Sequence, residues 1–289
     1  MSEKTAQSPA AGGRSSMKQR VITGAILSAA CVLLIYFGGG VFAVAAIIIV
    51  CLSMYEEYDA LNKAGHRPVS WPTWLAAVSS IPLVLIYESR IVFPILMACC
   101  LLTLLCVLFR SEPKIEDALM SMVPMYFVLL PGLGIISVAT VSPLSVQRTL
   151  NSLLVAVPVL GDTMAYFVGS KVRGRKLCPA VSPNKTVSGA IAGLIGSVIA
   201  AILVRLAAGA LCGEATQPFL PGWPATVIIG VVGGVASQIG DLFASLVKRH
   251  CGIKDFSNIF PGHGGMMDRL DSVLFMAIVL MCYRMFAIA

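Results

Sequence analysis

"IVFPILMACCLLTLLCVLF", residues Ile91–Phe109, carries no charged side chain over nineteen positions. A helix rises 1.5 Å per residue, so a run of this length comes close to spanning the roughly 30 Å of bilayer hydrocarbon. A transmembrane strand would alternate apolar and polar residues, which this run does not do. "VITGAILSAACVLLIYF", Val21–Phe37, repeats the pattern. The whole chain agrees with it: 289 residues are 57% hydrophobic and 12% charged, with a mean hydropathy of +0.88, whereas a soluble domain carries about 25% charged residues. The expectation is an all-α, polytopic membrane helical bundle; a soluble fold and a barrel are excluded.

Extending the same reading predicts about nine transmembrane helices, at residues 21–37, 41–54, 73–87, 91–109, 122–141, 151–169, 187–212, 225–247 and 272–288, each judged by apolar length and polar flanks. Pro82, Pro94, Pro131 and Pro158 are expected to kink their helices, which neighbouring helices can accommodate. Residues 1–20, rich in Ser, Ala and Gly, read as a disordered polar tail. The chain then divides into N-terminal transmembrane helices at 21–150 and a C-terminal catalytic transmembrane region at 151–289. The nine cysteines lie mostly in apolar runs without CxxC spacing, which favours packing over a disulfide framework or a zinc site.

Basic residues set the orientation, because Lys and Arg accumulate in short cytoplasmic loops. A cytoplasmic N-terminus places on that side Lys4, Arg14, Lys18, Arg20, Lys63, Arg67, Arg110, Lys114, Lys171, Arg173, Arg175, Lys176, Lys185, Lys248, Arg249, Lys254 and Arg269, and leaves Arg90, Arg148, Arg205 and Arg284 elsewhere. The net charge of +7 then has a membrane explanation and calls for no nucleic acid. A basic face also attracts anionic lipid headgroups.

After Met120 the acids are Asp162, Glu214, Asp241, Asp255, Asp268 and Asp271, and all but Glu214 fall near the cytoplasmic ends of the last four spans. One functional centre in the C-terminal half is therefore expected. In "SQIGDLFASLVKR", Ser237, Asp241, Ser245 and Lys248 share one helical face, and an intramembrane carboxylate such as Asp241 marks a site or a wet cavity by default. "PGHGG", with His263 among glycines, is followed by "MMDRLD", where Asp268 and Asp271 share the face of a starting helix. Such acids can simply complement the helix dipole. Carboxylates without a His or Cys cluster suit a hard cation such as Mg²⁺. Surrounded by Lys248, Arg249, Lys254 and Arg269, they make the setting expected around a polyphosphate. Upstream, "GDTMAYFVGSKVRGRK" spaces Asp162, Tyr166 and Ser170 by four. "SPNKT" then offers Ser182, Lys185 and Thr186 at the head of the seventh span, where amides attract phosphate; no P-loop pattern is present.

"SLVKRHCGIKDFSNIFPGHGGMMDRLD", residues 245–271, resembles the signature of the phosphatidate cytidylyltransferases, the CDP-diacylglycerol synthases, with SxxKRxxxxKD, PGHGG and DRxD all in place. "GDTMAYFVG" and "SPNKT" are similar to two weaker elements of that family. The chain departs from the family at Ser188 and Ala244, where Glu is frequent. The resemblance implies that CTP and phosphatidic acid give CDP-diacylglycerol and pyrophosphate, a step of phospholipid biosynthesis. It assigns Mg²⁺ to Asp241 and Asp268, with Asp271 as a third ligand and a second, monovalent cation left open. Phosphate contacts fall to Ser245, Lys248, Arg249, Lys254 and Arg269, with Asp255 in the motif and a loop contact from His263. Asp162, Tyr166, Ser182, Lys185, Thr186 and Ser237 are the candidate substrate-binding residues. The expected setting is a bacterial inner membrane with the site facing the cytoplasm, membrane lipids as surroundings and a homodimer as one assembly. Two rivals are a CTP-dependent polyprenol-type lipid kinase, which would transfer the γ-phosphate to an alcohol, and a secondary transporter for organic anions, in which Asp162 and Asp241 would couple cations.

Overall fold

The structure, a computed structural model, describes residues 17–87, 92–172, 174–211 and 220–287; nearly all of the predicted N-terminal tail lies outside them. Ten α-helices follow one another: α1 (Met17–Phe37), α2 (Gly39–Lys63), α3 (Trp71–Tyr87), α4 (Val92–Leu108), α5 (Ile115–Pro124), α6 (Leu130–Val138), α7 (Leu144–Lys171), α8 (Val187–Leu211), α9 (Trp223–His250) and α10 (Met267–Ala287). A π-turn at Met125–Leu129 joins α5 to α6. Pro131 follows that turn and has no N–H to give to the carbonyl four residues back, and one wide turn re-registers the ladder without breaking the rod. Pro82 and Pro158 lie inside α3 and α7.

Counted with α5 to α6 as one rod, nine helical rods stand among the described residues at the positions of the nine apolar runs. Six are long and apolar enough to cross a membrane: α1, α2, Ile115–Val138, α7, α8 and α9. The helices α3 and α4 are shorter, and α10 carries Asp268, Arg269, Asp271 and Arg284. The molecule is thus an all-α, multi-pass membrane protein. Several helices outrun their apolar stretch, since a helix continues into water once its backbone ladder is running; α2 reaches Lys63 and α7 starts at Leu144.

Between α7 and α8 the chain makes a small antiparallel hairpin of β1 (Lys176–Cys178) and β2 (Ser182–Thr186), pairing Lys176 with Thr186 and Cys178 with Ser182. "SPNKT" is therefore a strand that leads directly into the head of α8. The break between α1 and α2 falls at Gly38, whose φ of 59° a side chain would resist. Gln147 of α7 closes that break: its Oε1 accepts the Gly39 N–H at 2.9 Å, while its Nε2 donates to the Ala139 carbonyl. These are groups that helix ends leave unpaired.

Around α2, α6, α7 and α10 lies the apolar core, with Met54, Leu133, Ile136, Leu150, Leu154 and Leu274 fully buried. Small residues bring α7, α8 and α9 into close contact, as in other membrane bundles: a methyl added at Gly230 would stand 2.9 Å from Val198 Cα, and one at Gly234 2.6 Å from Ser197 Cβ. Polar links collect the C-termini of α2, α4 and α9 and the N-termini of α3, α5 and α10 at one end of the bundle. There His66 Nε2 and His250 Nε2 lie 2.8 Å apart, and Arg110 donates to the Arg67 carbonyl at 2.7 Å.

Candidate functional site

At that end a cavity of about 830 Å³ opens between α7, the hairpin, the start of α8, α9 and the first turns of α10. Asp162 and Tyr166 of α7, Lys185 and Thr186 of β2, Asp241 of α9, and Asp268 and Asp271 of α10 all line it. Seven predicted residues drawn from four segments of chain therefore converge on one space, together with Ser170.

The charges inside are used unequally. Lys185 forms an ion pair with Asp241, both side chains 28% exposed. Asp271 Oδ1 accepts the N–H of Ser272 at 2.7 Å, and Ser272 donates its hydroxyl to Asp162 Oδ2 at 3.3 Å, tying α10 to α7. Asp268 is committed on both oxygens: Oδ1 takes Lys248 Nζ at 2.7 Å, and Oδ2 takes the N–H of Phe256 at 2.8 Å and of Gly265 at 3.0 Å. Its side chain is 3% exposed. Gly264, at φ 80°, brings the loop so near that a Cβ there would lie 2.8 Å from Asp268 Oδ2. Asp268 thus holds the loop of residues 256–265 closed over the first turn of α10.

Other predicted residues stand apart from the cavity wall. Lys248 turns to Asp268 and lies over the Phe256 ring, 5.6 Å from its centroid. Ser237 is buried and donates to the Gly233 carbonyl at 2.7 Å, an ordinary back-bond within α9. Ser245 is half-buried on α9; Arg249, Lys254, Asp255 and Arg269 are exposed beyond the rim. Ser182 begins β2 outside the lining. His263 reaches away toward α1, where a methyl at Gly24 would lie 3.4 Å from its Nε2. Thr186 has a second task, since its Oγ1 accepts the Gly189 N–H at 3.1 Å and caps α8. Val187 N donates to the Arg175 carbonyl, so part of the amide set at the head of α8 is already satisfied. Of the two departures from the family pattern, Ala244 is buried in the core, while Ser188 sits in the first turn of α8 with its Oγ 3.2 Å from Thr186 Oγ1.

Reasoning from sequence missed Asn184 and Gln238, which line the cavity; Gln238 donates Nε2 to the Ala190 carbonyl at 3.0 Å, leaving its oxygen without that bond. It also missed Glu56 of α2, whose carboxylate receives Ser257 Oγ and the amides of Met266 and Met267. The available signal was the Glu56–Glu57 pair at the end of an apolar run, since acids in such a setting are costly and rarely idle. Lys176, placed by the charge pattern among the cytoplasmic residues, lines the cavity.

The donor set suits a hard divalent cation. Asp162, Asp241 and Asp271 present only oxygen to the cavity, and among the described residues no three acidic, His or Cys side chains are grouped so as to hold a metal ion as they stand. A cation such as Mg²⁺ takes few protein oxygens and fills its shell with water and phosphate. Lys176 and Lys185 line the same cavity, so both signs of charge face it.

A family model described as the cytidylyltransferase family matches residues 18–287. The chain is similar to the phosphatidate cytidylyltransferase of Bacillus subtilis (strain 168), 42% identical over 114 residues, which cover 39% of this chain and 39% of the relative. It is also similar to that of Thermotoga maritima, 38% identical over 128 residues, 44% of this chain and 46% of the relative. Phosphatidate cytidylyltransferase 5, chloroplastic, of Arabidopsis thaliana is 28% identical over 295 residues, 91% of this chain and 70% of the relative. In both bacterial relatives the matched part spans less than half their length.

Proposed function

The chain belongs to the cytidylyltransferase family, and on that premise we propose that it transfers the cytidylyl group of CTP to phosphatidic acid, giving CDP-diacylglycerol and pyrophosphate. The observation that carries the proposal is the convergence of Asp162, Asp241 and Asp271 with Lys176 and Lys185 around one cavity at the basic end of a membrane bundle.

In this reaction a phosphate oxygen of the lipid forms a bond to the α-phosphorus of CTP as the bond to the β-phosphate oxygen breaks. The nucleophile is already anionic, so no strong base is needed. The difficulty is bringing two anions together, and positioned cationic groups address it. Lys185 and Lys176, on the hairpin, hold the polyphosphate; Lys185 exchanges its pairing with Asp241 for phosphate oxygens. Asp241 and Asp271, with Asp162, would hold Mg²⁺, which supplies charge neutralisation to the polyphosphate. Asp268 and Lys248 keep the first turn of α10 in register. Tyr166, which lines the cavity, and Phe167, whose ring stands edge-on to that of Tyr166, are 72% and 55% exposed, an apolar surface suited to acyl chains.

The proposal includes a cytoplasmic N-terminus and cavity in a bacterial plasma membrane. Its support is the gathering of Lys63, Arg67, Arg110, Lys114, Lys171, Lys248, Arg249 and Lys254 at the cavity end, against Arg148, Arg205 and Arg284 toward the other. All nine helical rods then cross. Pairing of two copies belongs to the same reading, since α1 has no buried residue and leaves a full face for lipid or a second chain.

The test is purified protein in lipid-supplemented detergent with CTP, Mg²⁺ and phosphatidic acid. Pyrophosphate and CDP-diacylglycerol are expected in equal amounts. Formation of CDP with a polyprenol acceptor would replace the proposal with a lipid kinase, and CTP left intact would remove it.

A further inference from the structure

Glu56 touches no part of the cavity wall, yet the α10 side of the cavity hangs on it. It lies near the C-terminal end of α2, 2% exposed. Ser257 donates its hydroxyl to Glu56 Oε1 at 2.6 Å, the Met266 N–H donates to the same oxygen at 3.0 Å, and the Met267 N–H donates to Oε2 at 2.8 Å. Met267 opens α10, so these amides belong to the set that a helix start cannot satisfy internally. A carboxylate there also meets the positive end of the helix dipole.

The fit depends on Gly265. A Cβ at that position would fall 2.6 Å from Glu56 Oε2 and 2.7 Å from Ser257 Oγ, and the carboxylate would be pushed off. The segment 256–267 is therefore pinned twice, by Asp268 from within α10 and by Glu56 from a helix about two hundred residues earlier in the chain. One turn beyond the Glu56 contact, Asp271 enters the cavity.

We propose that Glu56 is a positioning residue for the transfer reaction: by receiving Ser257 and the first amides of α10 it fixes the helix start that presents Asp271 to the cavity. This rests on reading the cavity as the transferase centre. Lys176, Lys185 and Asn184 stand on the hairpin, which Glu56 does not touch, so its influence falls on turnover and spares nucleotide binding.

The experiment compares full-length wild type with Glu56→Gln, which preserves volume but sets an amide donor against an N–H. A misplacement on the order of 1 Å in a reacting group costs up to about 100-fold. The expected result is therefore a kcat lower by about 10- to 100-fold, with KM for CTP within about threefold, and hydrogen exchange of amides 257–267 at least about tenfold faster. Gly265→Ala should do the same. Combined with Glu56→Ala it should add less than about twofold, because the two act through one contact. The proposal is overturned if Glu56→Gln keeps kcat within about twofold, if exchange in 257–267 is unchanged, or if the losses from Glu56→Ala and Gly265→Ala simply multiply. Exchange reads the pinning without substrate, so a wild-type chain that leaves CTP intact refutes the reaction while the Glu56 contact is still judged on its own.

Discussion

The two halves of the molecule spend similar polar residues differently. In the N-terminal half, Asp117 accepts the Arg67 N–H at 3.0 Å and Arg110 Nη1 at 3.2 Å, and Tyr58 donates to the Ser121 carbonyl at 2.9 Å. These links tie the α2–α3 and α4–α5 connections together. Around the cavity, Asp162, Asp241 and Asp271 each keep accepting capacity, and Lys185 is ion-paired with Asp241 at 28% exposure. A buried charge that is fully paired holds elements together, whereas one left partly free in a cavity is available for chemistry. Asp268 lies on the boundary, lining the cavity yet fully engaged.

That contrast can be broken most decisively at Asp271. Asp271→Asn keeps the size of the side chain and removes the charge, and turnover measured as pyrophosphate release should fall by about 10³-fold or more, with the melting temperature within a few degrees of wild type. Near-normal turnover would place Asp271 among the structural acids.

Asp268→Asn should differ in kind. Its new amide would face backbone N–H donors and leave Lys248 without its partner, a loss of about 3–5 kcal/mol when a buried pair is broken from one side. Activity and thermal stability should fall together, and raised Mg²⁺ should restore neither. Rescue by Mg²⁺ would move Asp268 to the metal-binding group.

In the N-terminal half, Asp117→Asn should cost about 1–3 kcal/mol, typical of a weakened buried hydrogen-bonded charge. It should lower the melting temperature while turnover per folded molecule stays within about twofold. A loss of turnover without loss of stability would erase the distinction between the halves. The smallest effect is expected at Ser188, half-exposed in the first turn of α8. Ser188→Glu should stabilise by about 0.3–1 kcal/mol through the helix dipole, read as a small rise in melting temperature, whereas Ala244→Glu would bury an unpaired carboxylate.

The membrane class, the places of the helices and the gathering of base at one end were legible in the sequence, because hydrophobic length and helical spacing are properties of contiguous residues. The spacing of Ser237, Asp241, Ser245 and Lys248 placed them on one side of α9, but it did not say that only Asp241 lines the cavity while Ser237 bonds back to Gly233. "DRxD" located both acids at the start of α10 without telling them apart. Their difference is set by donors at Lys248, Phe256 and Gly265 for Asp268, and by Ser272 for Asp271. Glu56 was hidden for the same reason, since its partners lie at Ser257, Met266 and Met267. Local sequence determines which residues can carry charge at the membrane edge. Only the tertiary structure decides which of those charges are already satisfied, because a hydrogen bond depends on where its partner ends up in space and not on how far along the chain it lies.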